Sequence, residues 1–158
     1  MLFSTSRFLV RRFVPQDEPA LHAILSDPAV MRHLEPPFAP AQTHAFLQTA
    51  GLCPDGSQRL IYAAESRTDH TVAGYLILHP YPGTADWELG WVLARRHWGK
   101  GCASELTAGA IAYARQQGIP GLILECAPAQ AATVQLAANF SFVPLPPTDG
   151  LLRFRLAL

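Results

Sequence analysis

The sequence predicts a single α/β domain spanning residues 1–158, with a mixed, mostly antiparallel central sheet of about six to seven strands flanked by helices. Two observations predict it. Three strand-like runs, 60–65, 71–78 and 86–93, follow one another across short turns, as in an antiparallel meander. An amphipathic helix then leads into the apolar run Gly121–Cys126, which reads as a strand buried on both faces and parallel to 86–93, completing a βαβ unit. The 158 residues, 49% of them hydrophobic, are enough for one substantial core.

Taken in order, Arg7–Phe13 alternates imperfectly and stops at Pro15, predicting a short first strand. Asp17 is placed to cap a helix with Ala20, Leu21, Ile24 and Leu25 on one stripe, and Ser26-Asp27-Pro28 closes it and opens a short turn through Leu34. Glu35–Pro40 reads as a stiff loop, Ala41–Ala50 as a helix and Gly51–Ser57 as a loop. Beyond the meander, Ala103, Leu106, Ala110, Tyr113 and Ala114 recur at helical spacing until Gly118 and Pro120 end the helix. Gln130–Asn139 predicts a last helix, and Ser141–Leu145 and Leu151–Leu158 predict closing strands around a Pro144–Pro147 turn.

Composition narrows the function. Twelve basic residues balance twelve acidic ones, which disfavours nucleic acid or an anionic membrane as partner. No apolar run reaches about 18 residues, and no signal segment is evident, so the expectation is a protein without membrane association. Cys53, Cys102 and Cys126 are odd in number and widely spaced, suiting reduced thiols and a cytoplasmic setting. The six histidines show no metal-ligand spacing on a convincing helix, so no metal is expected.

The chemistry concentrates in Arg96-His97-Trp98-Gly99-Lys100-Gly101, between a strand and a helix. Unpaired amides and the helix dipole favour phosphate there, and glycines let the backbone approach it. A tight strand-to-helix turn would also use two such glycines. A Walker loop is excluded because Lys100 lies between the glycines with no hydroxyl following; a dinucleotide fingerprint lacks its third glycine, since Ser104 follows.

With Arg96, Gly99 and Gly101 in a Gln/Arg-x-x-Gly-x-Gly/Ala pattern, the segment resembles the central motif of the GNAT acyltransferases. Glu88-Leu89-Gly90-Trp91-Val92-Leu93, then Trp98-Gly99-Lys100-Gly101-x-Ala103-x-Glu105, and Arg7-Phe8-x-x-Arg11-Arg12-Phe13, resemble the branch containing ribosomal-protein N-terminal acetyltransferases. The resemblance implies acetyl-CoA as co-substrate and acetyl transfer to a primary amine, a protein N-terminus or a small molecule, by direct attack in a ternary complex. It implies that the amides of Trp98, Gly99, Lys100, Gly101, Cys102, Ala103 and Ser104 hold the diphosphate, with Arg96 and His97 beside them. The main chain of Trp91, Val92 and Leu93 would pair with pantetheine.

Glu88 is the candidate base, with a salt-bridged surface carboxylate as the plain alternative. Where relatives show Asp-Pro-x-Asn-x-x-Ser, this chain has Ala127-Pro128-Ala129-Gln130-Ala131-Ala132-Thr133. Gln130 remains a candidate cofactor donor and Thr133 a weak catalytic candidate, while Ala137 occupies the position of the family's general-acid tyrosine. A catalytically degenerate acyl-CoA-binding domain is therefore the alternative. Arg32, His33 and Glu35 are placed to line the acceptor side, and the chain is expected to be a monomer or homodimer.

Overall fold

The structure, a computed structural model, describes residues 1–53, 58 and 60–158. Of the loop expected over Gly51–Ser57, residues 54–57 lie outside the described residues.

Among the described residues, eight strands form one sheet in the order β1-β2-β3-β4-β5-β6-β8-β7: Phe3–Ser4, Phe8–Arg11, Ile61–Ser66, Val72–Pro80, Trp87–Leu93 and Gly121–Cys126 for β1 to β6, Val143–Thr148 for β7 and Leu151–Ala157 for β8. Neighbours are antiparallel except β5 and β6, which are parallel, as a crossover through a helix requires. The helices are α1 (Glu18–Leu25), α2 (Pro28–Met31), α3 (Pro40–Phe46), α4 (Cys102–Gln116) and α5 (Ala131–Asn139).

Period-2 alternation gives the sheet two apolar faces. Phe8, Val10, Leu76, Leu78, Leu89 and Leu93 meet Leu106, Ala110 and Ala114 of α4 and Ala137 of α5, with Trp87 and Trp91 partly buried against them. On the other face, Ile61, Ala63, Tyr75 and Val92 meet Leu21, Ile24 and Leu25 of α1 and Met31 of α2. Burying a leucine such as Leu106 stabilises the fold by about 2 kcal/mol. Helix α4 stops at Gly118, whose φ of 70° suits a residue without Cβ; the amides of Gly118 and Ile119 bond back to Arg115 and Ala114.

Three local expectations need correction. Asp17 stands before α1, but its carboxylate makes no cap bond; it accepts both terminal nitrogens of Arg11 and the Val14 amide, because a guanidinium fork is the stronger partner. The helix expected over 41–50 loosens into a π-helical turn at Leu47–Leu52, where the Thr49 hydroxyl takes the Ala45 carbonyl. Pro144–Pro147 is no turn; it lies in β7, an edge strand, whose pairing with β8 is interrupted at Pro146 and Pro147, between Leu145↔Arg153 and Thr148↔Leu151. The reversal is Asp149-Gly150, with φ of 50° and 79°. Strand β8 pairs within the subunit, between β6 and β7.

Candidate functional site

The site begins where the parallel pair opens. Strands β5 and β6 are in register only at Trp87↔Leu122 and Glu88↔Ile123, although β5 runs on to Leu93 and β6 to Cys126. The Tyr81 amide bonds to Asp86 O and the Ala94 amide to Ala73 O. Antiparallel alternation between those two bonds turns the even-numbered residues of β5, Val92 included, toward β4. Trp91 therefore presents its N–H and C=O groups, and Leu93 its N–H, to the gap, as an added strand requires, and Val92 does not. The indole of Trp98 donates to the Leu93 carbonyl at 2.8 Å.

After β5 the chain makes a 3-10 turn, Arg95–His97, in which the Trp98 amide bonds to Arg95 O at 3.0 Å. That amide is committed, so the donors facing outward begin at Gly99. Gly99 and Gly101 have φ of 68° and 70°, the left-handed region that disfavours any side chain. A Cβ on Gly99 would meet nothing within 4 Å. The first helical bond of α4 runs from Glu105 N to Gly101 O, which leaves the amides of Cys102, Ala103 and Ser104 without helical acceptors.

Gap, loop and the start of α5 surround one cavity of about 610 Å³. Of the predicted site residues, Trp91, Val92, Leu93, His97, Trp98, Gly99, Gly101, Cys102, Ala103, Ser104, Gln130 and Thr133 line it, joined by Leu136 and by Ala29, Val30, His33 and Leu34. Val30 packs against one core and Cys102 belongs to the other, so the cavity passes through the opened sheet. Arg32 and Glu35 line a smaller neighbouring hollow.

Three predicted residues are not in the lining. Arg96 donates to Thr71 Oγ1 and to His97 Nε2, and Lys100 Nζ folds back onto Arg96 O at 2.7 Å; both brace the loop from outside. Burial and the charges of Arg96 and Lys100 lower the His97 pKa, favouring the neutral ring. Glu88 sits at the apex of the gap, on the face of Gly90 and Val92. Its carboxyl is pushed above the usual carboxylate range by burial; His79 draws it down and Glu125 pushes it further up.

His79 and Glu125, which sequence reasoning did not single out, depend on strand register. His79 stands opposite Glu88, with Nε2 at 3.3 Å from Oε2, while its Nδ1 donates to Pro80 O. Glu125 accepts the Tyr81 hydroxyl at 2.5 Å and lies 3.5 Å from Arg153 Nε.

On α5, Gln130 Oε1 accepts the Ala127 amide at 2.8 Å, which holds the side chain and presents its NH2 as the donor. Ala137 is fully buried and Leu136 lines the cavity; neither can release a proton. All three cysteines are buried and unpaired, and burial raises the Cys126 pKa. Among the described residues no group of three or more His, Cys, Asp or Glu could hold a metal ion. Among them, too, no helix is long and apolar enough to cross a membrane.

A helix start opposite a splayed parallel strand pair sets main-chain donors and acceptors on two sides of one cavity. Residues 7–143 match the model of the acetyltransferase (GNAT) domain, and the chain belongs to that family. No curated protein matches it. Among solved structures it is similar to a GNAT-family acetyltransferase from Bacillus anthracis, with 20% identity and a TM-score of 0.84 over 98% of this chain and 97% of that one. The ribosomal-protein-alanine N-acetyltransferase of Brucella melitensis is 24% identical, with a TM-score of 0.71 over 95% and 99% of the two chains. The spermidine N-acetyltransferase of Vibrio cholerae, solved with CoA and spermine, is 18% identical, with a TM-score of 0.78 over 96% of each. At these identities the likeness establishes the fold.

Proposed function

We propose that this chain transfers an acetyl group from acetyl-CoA to a primary amine, by direct attack in a ternary complex. The observation that carries the reading is the cavity through the opened sheet, which joins the Gly99–Ser104 amides to the outward-facing main chain of Trp91 and Leu93. An extended thioester with an anionic diphosphate fits that combination: strand-like pairing for the pantetheine arm, and glycine-backed amides for the phosphates.

The acceptor enters from the opposite side, past His33 and Leu34. Its neutral nitrogen attacks the thioester carbonyl carbon, and Glu88 takes the amine proton directly or through one water. The carbon–sulfur bond then breaks, and the thiolate is protonated by water or by the Thr133 hydroxyl. Proximity within the cavity supplies much of the acceleration. Similar folds act on ribosomal-protein alanine or on spermidine, which keeps both a protein N-terminus and a small amine in view as acceptors. Three buried free thiols agree with a cytoplasmic setting.

The test is calorimetry with CoA together with thiol release from acetyl-CoA across a panel of peptides and amines. Binding with turnover is expected; absence of both would refute the reading. The buried, protonless Ala137 favours one second reading, a domain that binds acyl-CoA without turning it over. Tight CoA binding with no turnover on any acceptor would favour it.

A further inference from the structure

Two sequence motifs far apart in the chain meet beside the loop. Arg7 closes the turn between β1 and β2, and Glu105 lies in the first turn of α4. The Arg7 amide donates to Glu105 Oε1 at 2.7 Å and its Nε to Oε2 at 2.5 Å, while Nη1 donates to the Lys100 carbonyl at 2.7 Å. The turn is itself held: the Arg67 amide donates to Arg7 O, and Arg67 Nη1 donates to Thr5 O. From these contacts we infer that Arg7 is a positioning residue for the cofactor, aiming the Lys100–Gly101 peptide and neutralising Glu105 so that the start of α4 can receive a diphosphate.

The first half of the inference follows from peptide geometry. In a trans peptide the N–H of one residue points opposite to the C=O of the residue before it. Pinning the Lys100 oxygen against Arg7 therefore turns the Gly101 N–H away from Arg7. A Cβ on Gly101 would lie 3.7 Å from Arg7 Nη2, so the guanidinium backs the loop directly.

The second half is electrostatic. A carboxylate in the first turn suits a bare helix dipole, but it competes with an anionic ligand for the same positive end. Arg7 cancels that charge while leaving the amides of Cys102–Ser104 uncovered. Because the ion pair is partly exposed, it contributes little to folding, and its effect belongs in ligand affinity.

The proposal rests on the acetyl-CoA reading, and its test uses donors with and without a diphosphate. Arg7→Ala should raise the Kd for CoA about tenfold, and lower kcat/KM for acetyl-CoA by about the same factor, the scale of one charge-assisted contact. For S-acetylpantetheine, which lacks the diphosphate, kcat/KM should stay within about twofold of wild type. Adding Glu105→Gln to Arg7→Ala should restore part of the CoA affinity, because the uncompensated carboxylate is gone. A fold-holding role alone would weaken both donors alike and would not be rescued. Unchanged CoA affinity in Arg7→Ala, equal loss on both donors, or no rescue would each overturn the proposal. Should Arg7→Ala fail to fold, Arg7→Lys keeps the charge without the fork, and a smaller loss confined to CoA is expected; none, or an equal loss on both donors, would overturn it. Wild-type protein that binds no CoA would overturn the proposed function itself, an outcome distinct from any difference between variants.

Discussion

The two walls of the cavity are built on different principles. On the α4 side the groups aimed inward are main-chain amides, fixed by two left-handed glycines and braced from behind by Arg7, Arg96 and Lys100. On the α5 side the chain reads Ala127 to Thr133 with Gln130 and Thr133 as its polar side chains, and Gln130 already spends its oxygen on Ala127. A grip made of backbone tolerates almost any side chain but fixes where glycine must stand. Proton transfer needs a particular side-chain atom at a particular place, so the α5 wall can lose chemistry without losing the cavity. In this molecule the α4 wall, where we place the cofactor, is the more strongly specified.

The largest expected effect tests whether catalysis instead resides at the apex of the gap. Glu88→Gln should lower kcat about 100-fold, the low end of general-base contributions, with the KM for acetyl-CoA nearly unchanged. The pH dependence has a defined sign. Burial raises the Glu88 pKa, so activity should fall as pH drops through a value above the usual carboxylate range. A carboxyl whose folded pKa is raised favours the fold while protonated and loses that contribution as pH rises through the folded pKa. At neutral pH the glutamine variant should therefore unfold no earlier than wild type in a thermal melt. Full activity across pH would make Glu88 a salt-bridged partner of His79 and nothing more.

The cofactor wall should fail next. Gly101→Val places a β-branched residue at φ of 70°, so the loop must move or store about 1–3 kcal/mol of strain. We expect the Kd for CoA to rise about tenfold or more by calorimetry, with kcat at saturating acetyl-CoA less affected. Unchanged CoA affinity would refute the placement of the diphosphate.

What was legible in the sequence follows the same division. The meander and the βαβ unit showed because period-2 runs and Gly118 act locally. Strand β1 did not, since two residues carry no periodicity, and the proline run suggested a turn although Asp149-Gly150 held the hairpin signal. The glycine loop was readable because its conformation demands a residue type. The orientation of the Trp91–Leu93 amides, the His79–Glu88 pairing and the Arg7–Glu105 contact were not, because each depends on register or on approach between segments up to 98 residues apart.

The smallest effect is expected at Thr133, and its size decides how far the α5 wall has drifted. A thiolate leaving group has a pKa near that of free cysteine, about 8.5, so water can protonate it without a dedicated acid. An aliphatic hydroxyl is a far weaker acid than the thiol it would have to form, which limits what Thr133 can contribute as a donor. Thr133→Val keeps the shape of the cavity and removes the hydroxyl. It should lower kcat by about threefold at most, with little change in its dependence on pH between about 6 and 9. A loss near the one expected for Glu88→Gln would mean that Thr133 carries the proton, and the contrast between a specified cofactor wall and a permissive α5 wall would collapse.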